Sequence, residues 1–206
     1  MFAAPPPDPG VEILLATQGM SKGLRQTDGP QLVARGTLDW GALTLGVQYR
    51  NISSPSADGE LWGFAALRVE AAGFQLSGGV TAKRWIATSG RPDRTSVELN
   101  GAIARSFGPV NARLSLIYGP DDLGGGGSSL YAEAGATLRV TAATSLAVGA
   151  SRRERAGAPD YTAFNAGLVH RLSPHVTAEL RYYDTDRSGL GAIYGARGVA
   201  ALRFRF

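Results

Sequence analysis

From Val11 onward, tight-turn residues cut the chain at intervals of about 32 to 35 positions, and this rhythm limits the possible folds more than any other feature. The breaks fall at Gly41, Gly73, Gly108-Pro109, Ala142-Ala143 and Ser173-Pro174, where Gly or Pro mostly supplies the geometry of a hairpin connection. Each interval holds two strands of roughly ten residues plus a longer connection, and a tilted strand of that length crosses a bilayer. The longer connections are polar and cover residues 19–30, 51–59, 86–93, 119–128, 152–159 and 184–190. Twelve strands are expected, near 11–18, 31–40, 42–50, 61–72, 74–85, 95–107, 110–118, 130–141, 144–152, 161–172, 175–184 and 192–206. Six long loops and five short turns put both chain ends on the short-turn side, the periplasmic side of bacterial barrels.

Within these segments apolar and polar residues alternate. Leu130, Ala132, Ala134, Ala136, Leu138 and Val140 share one face, and Tyr131, Glu133, Thr137 and Arg139 share the other. Leu43, Leu45, Val47 and Tyr49 oppose Thr44, Gln48 and Arg50 in the same way, and Leu202, Phe204 and Phe206 oppose Arg203 and Arg205. No stretch approaches the roughly 20 apolar residues of a spanning helix, so strands must make any crossing. A mean hydropathy near zero is compatible with that, because alternation hides the membrane signal. The absence of cysteine excludes disulfides and thiolate metal sites. Residues 1–10 are Pro-rich and lack the basic and apolar regions of an export signal, so they are expected to be a disordered segment ahead of a barrel at 11–206.

A soluble sandwich would use the apolar face as its core. Two observations oppose it: nearly every strand carries a charge on its polar face, and the apolar face is too rich in Ala and Gly for a dense dry core. The expected fold is therefore all-β, a transmembrane antiparallel up-and-down β-barrel of about twelve strands in the bacterial outer membrane. Trp40, Phe74 and Phe107 beside the short turns, Tyr49, Tyr118 and Tyr182 at the opposite ends, and the terminal Phe206 are the candidate membrane-interface aromatics.

The polar faces would then line a lumen. Arg35, Arg50, Arg68, Lys83, Arg113, Arg139, Arg153, Arg171, Arg181, Arg203 and Arg205 fall there, with fewer acids: Glu12, Asp39, Glu70, Glu98, Glu133 and Glu179. Dry burial of so many ions costs several kcal/mol for each unpaired one, so the lumen must hold water, paired networks or both. Excess arginine in a narrow passage favours anions. The opposing possibility is that Arg–Glu ladders brace and plug the barrel. Basic residues spread singly over the strands, without clustered aromatics, argue against nucleic acid as a partner.

The first long loop reads Ser21-Lys22-Gly23-Leu24-Arg25-Gln26-Thr27-Asp28-Gly29-Pro30, followed by a strand ending Leu38-Asp39-Trp40. This resembles the TorF-type porins, a family of proteobacterial outer-membrane proteins, through Lys22-Gly23 and Gln26-Thr27-Asp28. The family's preceding aromatic is missing, Lys22 stands for its usual arginine and Arg25 for its serine. Asp160-Tyr161-Thr162 and Tyr183-Asp184-Thr185-Asp186 resemble the family's closing pattern. The resemblance implies an outer-membrane location and a porin-like role, and names no ligand.

Catalysis would have to use His170 and His175, which fall beside the Ser173-Pro174 turn on the expected periplasmic rim, away from the outer leaflet where barrel hydrolases act. The glycine run 124–127 lacks the Lys-Ser or Lys-Thr of a phosphate-cradling loop. Asp121-Asp122 and Asp184 with Asp186 read as solvated loop acids, and no metal or cofactor is expected. The expected function is passive diffusion of small polar or anionic solutes, with a closed structural or surface-recognition barrel as the alternative. The expected partners are membrane lipid, the solutes, and the barrel-assembly machinery acting on the carboxyl-terminal strand.

Overall fold

The computed structural model describes residues 6–54, 57–86, 95–123 and 125–206. Its strands are β1 (Asp8–Ala16), β2 (Met20–Ser21), β3 (Leu24–Arg25), β4 (Gln31–Trp40), β5 (Leu43–Ser54), β6 (Ala57–Ala71) and β7 (Phe74–Ile86). These are followed by β8 (Thr95–Phe107), β9 (Val110–Gly119), β10 (Ser129–Arg139), β11 (Thr144–Arg155), β12 (Tyr161–Arg171), β13 (Val176–Thr185) and β14 (Arg197–Arg205). β1 and β4 through β14 form one closed antiparallel barrel of twelve strands, while β2 and β3 pair with each other as a small hairpin inside the first long loop. Consecutive barrel strands are neighbours throughout, and β1 closes the sheet by pairing with both β4 and β14. At that seam Glu12 faces Arg205, the Val11 amide donates to the Phe206 carbonyl at 3.0 Å, and the Phe206 amide returns a bond to the Val11 carbonyl at 2.9 Å.

The alternation expected of a half-lipid, half-lumen strand is realised around the ring. Val47, Leu114, Leu116, Val148 and Leu180 are more than half exposed on the outer surface, whereas Arg50, Glu60, Lys83 and Glu98 are buried. That is the reverse of a soluble sandwich, and the two-sheet alternative is corrected accordingly. Each outward Leu or Val removed from water by lipid contributes about 1.5–3 kcal/mol.

Several boundaries differ from the sequence reading. β1 begins at Asp8, inside the segment expected to be disordered to Gly10, because β4 runs to Trp40 and its partner must extend as far as Asp8, opposite Asp39. Pro9 is tolerated near the start of the strand, where a missing N–H costs least. Residues 1–5, the connection at 87–94 and Gly124 of the glycine run lie outside the described residues. β5 and β6 reach beyond residues 50 and 61, with a register shift between Asn51 and Ser54. The last strand starts only at Arg197, after a short 3-10 turn at Ser188–Leu190.

The short turns fall where expected. Ala71 faces Phe74, so the β6–β7 hairpin turns on Ala72-Gly73, both with positive φ (52° and 77°). This is the signature of a type I′ turn, whose favoured first residue is Asn, Asp or Gly. The Cβ of Ala72 makes the conformation costly. Ala72→Asn is expected to raise the unfolding free energy by about 0.5–1 kcal/mol, since Asn enters the left-handed region more readily. Urea unfolding in lipid vesicles measures it, and an unchanged or lower stability would contradict the turn assignment.

Candidate channel interior

The strand registers bring charged and aromatic side chains of β5 to β8 together near the long-loop end. Arg50 lies opposite Glu60, Glu60 opposite Trp85, and Trp62 opposite Lys83, while Thr81 faces Glu98. Arg50 donates from Nε and Nη2 to the same Glu60 oxygen, Oε2, at 2.9 and 2.7 Å. Trp62 and Trp85 add indole N–H bonds to Glu60 at 2.9 and 3.2 Å. The Trp62 ring also carries the Arg50 guanidinium at 4.6 Å and the Lys83 ammonium at 4.5 Å from its centre. Such cation–π contacts gain strength when desolvated.

Lys83 reaches Glu98 at 2.6 Å, and a second cation, Lys22 from the β2–β3 hairpin, reaches the same Glu98 oxygen at 2.5 Å. The first loop thus folds into the barrel mouth and ties to several walls. The Tyr161 hydroxyl of β12 donates to the Lys22 carbonyl at 2.5 Å, and the Arg25 amide donates to the Ile193 carbonyl at 3.2 Å. The Ser53 amide of β5 donates to the Gln26 carbonyl at 2.7 Å. Leu24 packs with Tyr161, Ala163 and Tyr194 in the buried apolar cluster of the mouth. Gly23 sits at φ +82°, against Ala163, where an added Cβ would collide.

Below this loop lies a cavity of about 520 Å³ whose lining includes Arg35, Arg68, Lys83, Arg113, Glu98 and Glu133. Arg35, Arg68 and Arg113 make no ion pair among the described residues. Arg35 rests 4.5 Å from the Phe64 ring centre, and its Nε has no hydrogen-bond partner there. Glu133 accepts a bond from Tyr131 at 3.1 Å.

The remaining sequence-derived residues are spread through the barrel. Arg153 is held by Asp122 of the β9–β10 loop at 2.7 Å. Glu179 pairs with Arg181 at 2.5 Å, and Arg181 also donates to Asn165 at 2.5 Å. Glu12 takes both Arg203 and Arg205, the latter at 2.9 Å. Arg171, Glu179, Arg203 and Arg205 share a separate cavity of about 460 Å³ at the short-turn end, where Arg139 stands exposed at the end of β10. Trp40, Tyr49, Phe107, Tyr118, Tyr182 and Phe206 are exposed on the outer surface, and Phe74 is half-buried. His170 bonds the Thr144 hydroxyl at 2.9 Å and His175 the Arg205 carbonyl at 3.0 Å, both exposed beside the short turns. Asp184 and Asp186 accept the Thr185 and Thr162 amides, each at 2.8 Å.

Sequence reasoning missed Glu60, Trp62, Phe64 and Trp85 as interior residues. Their parity with Arg68 and Lys83 was the available signal. It also missed Lys22, for which alternation gives none, because the residue lies in a loop.

A family model described as Gram-negative porin matches residues 13–190. No curated protein matches the sequence significantly. Among solved structures, the NanC porin has a TM-score of 0.63 at 9% identity, covering 95% of this chain and 97% of its own. The KdgM porin in complex with disordered oligogalacturonate has a TM-score of 0.66 at 9% identity, covering 96% and 99%. An outer membrane channel from Pseudomonas putida F1 has a TM-score of 0.54 at 15% identity, covering 98% and 96%. These likenesses show the fold.

Burial pushes the Lys22 ammonium down from its ordinary 10.5 to about 8, aided by the charges of Lys83 and Arg153 and opposed by Glu98. A docked loop therefore binds fewer protons between these values than a free one, and docking becomes more favourable as pH rises through 8. Tryptic cleavage after Arg25, referenced to the exposed Arg187, is expected to slow over that range, and Lys22→Met to abolish the slope. Glu98→Gln leaves two buried lysines without their carboxylate and is expected to raise cleavage after Arg25 at pH 7 by about tenfold or more. Equal protection in both proteins would refute the latch.

Proposed function

Because the chain belongs to the Gram-negative porin family, we propose that it is an outer-membrane channel for passive diffusion of small polar and anionic solutes, selected by a basic passage beneath the docked first loop. Family and fold point to a channel rather than an enzyme. The anionic reading rests on one observation: Arg35, Arg68 and Arg113 line the same cavity without carboxylate partners among the described residues. Unneutralised guanidinium groups beside low-dielectric walls concentrate anions and repel cations. Glu12, Glu60, Glu98 and Glu179, by contrast, are each taken up by a basic side chain, and Glu133, which lines the same cavity and accepts from Tyr131, offsets one of the three guanidinium charges.

The TorF-type resemblance belongs to the same proposal, supported by Lys22-Gly23 and Gln26-Thr27-Asp28. So does recognition of the carboxyl-terminal strand, with its Phe206 end, by the barrel-assembly machinery. The docked loop favours a second reading, a closed barrel serving structure or surface recognition, because it ties β5, β8 and β12 together across the mouth.

Single-channel recording in a planar bilayer under a potassium chloride gradient separates the two. Stepwise conductance with a reversal potential of anionic sign is expected, and Arg68→Glu combined with Arg113→Glu should shift preference to cations by several-fold. A folded but silent barrel would favour the closed reading. A conducting barrel whose selectivity ignores both substitutions would overturn the arginine assignment.

A further inference from the structure

Arg105 points away from the channel. On β8, Ser96 and Glu98 are buried toward the interior, so Val97, Leu99, Arg105 and Phe107 share the outer face, and Val97, Leu99 and Phe107 are 45%, 55% and 57% exposed there. A cation on a lipid-facing wall is disfavoured away from the interface and needs an anion or water within reach. Arg105 lies two residues before the end of β8, at the Gly108-Pro109 short turn, and its guanidinium sits 4.7 Å from the Phe74 ring centre and 5.2 Å from that of Phe107.

This arginine makes no ion pair among the described residues. Arg152, outward at the opposite rim, has Asp160 at 3.3 Å. Glu70, on the interior face of β6 and lining the same cavity as Arg105, accepts a bond from Gln75 at 3.2 Å. A cavity of about 280 Å³ opens beside Arg105, formed by the Ala72-Gly73 turn together with Glu70, Phe74, Gln75 and Ser106. The two phenylalanine rings flank the guanidinium, whose N–H groups make no hydrogen bond or ion pair among the described residues.

We infer that Arg105, Phe74 and Phe107 form a binding site for the phosphodiester of a glycerophospholipid in the periplasmic leaflet. The planar fork of donors matches two phosphate oxygens, and the rings supply apolar surface where the glycerol and first acyl carbons lie. The level fits as well, since the site is beside the short turns, the periplasmic end of a bacterial barrel.

The test is native mass spectrometry of the detergent-solubilised protein titrated with phosphatidylglycerol. Arg105→Gln is expected to weaken binding of the first lipid by about fivefold or more, and Arg105→Lys by less, because it keeps the charge and loses the fork. Diacylglycerol, with the same tails and no phosphate, should not distinguish wild type from Arg105→Gln, and millimolar inorganic phosphate should not displace the phospholipid. Equal phosphatidylglycerol affinity of wild type and Arg105→Gln would overturn the site, and displacement by inorganic phosphate would make it a free-anion site instead. If Arg105→Gln fails to fold, Phe74→Leu with Phe107→Leu keeps the charge and frees the guanidinium. About twofold or greater weakening is then expected, and unchanged binding overturns the inference.

Discussion

Backbone amides and carbonyls cannot be left unpaired in hydrocarbon, and the arrangement of this chain follows from that constraint. A sheet that crosses a membrane must bond its first strand to its last. Here the two strands meet through reciprocal bonds between Val11 and Phe206, with Glu12 opposite Arg205 beside them. Closure then gives every residue of every barrel strand one of two surroundings. An outward side chain meets lipid, and an inward one meets whatever the other eleven strands send in. Parity alone separates Leu114 and Leu116 from Arg113 and Ser115.

The inward half is therefore crowded with ions, and the barrel handles them in two ways along its length. Toward the long loops, opposite charges converge: Arg50 with Glu60, and Lys83 and Lys22 with Glu98, braced by the indoles of Trp62 and Trp85. A pair broken there would strand a buried ion at a cost of about 3–5 kcal/mol, so this region is stiff. In the cavity below, Arg35, Arg68 and Arg113 make no ion pair among the described residues, and Phe64 lies against Arg35. The interior aromatics serve as planks that fix where charge sits.

The strand count, the positions of the short turns and the outward aliphatic face were legible in the sequence because period-two alternation and turn residues are local signals. Arg35, Arg68, Arg113 and Glu133 line one cavity from the polar faces of their strands. The pairing of Arg50 with Glu60 was not legible, since it depends on register between strands. A one-residue slip would exchange every inward side chain for an outward one, and no single segment reports which partner residue it faces. Lys22 was invisible as a lumenal residue because its position comes from a loop that doubles back. The early start of β1 was masked by the prolines at positions 5–7 and 9, although Asp39 on β4 requires a partner there.

The docked first loop also bears on the order of assembly. Its anchors are far away along the chain: Lys22 and Glu98 are separated by 76 positions, Lys22 and Tyr161 by 139, and Arg25 meets Ile193 in the last long connection. These contacts draw on β8, β12 and the connection before β14 at once, so the loop is seated in full only when the sheet has closed. Seating of the loop is therefore coupled to closure of the barrel, and a chain truncated before Tyr161 would lose the hydroxyl that holds the Lys22 carbonyl.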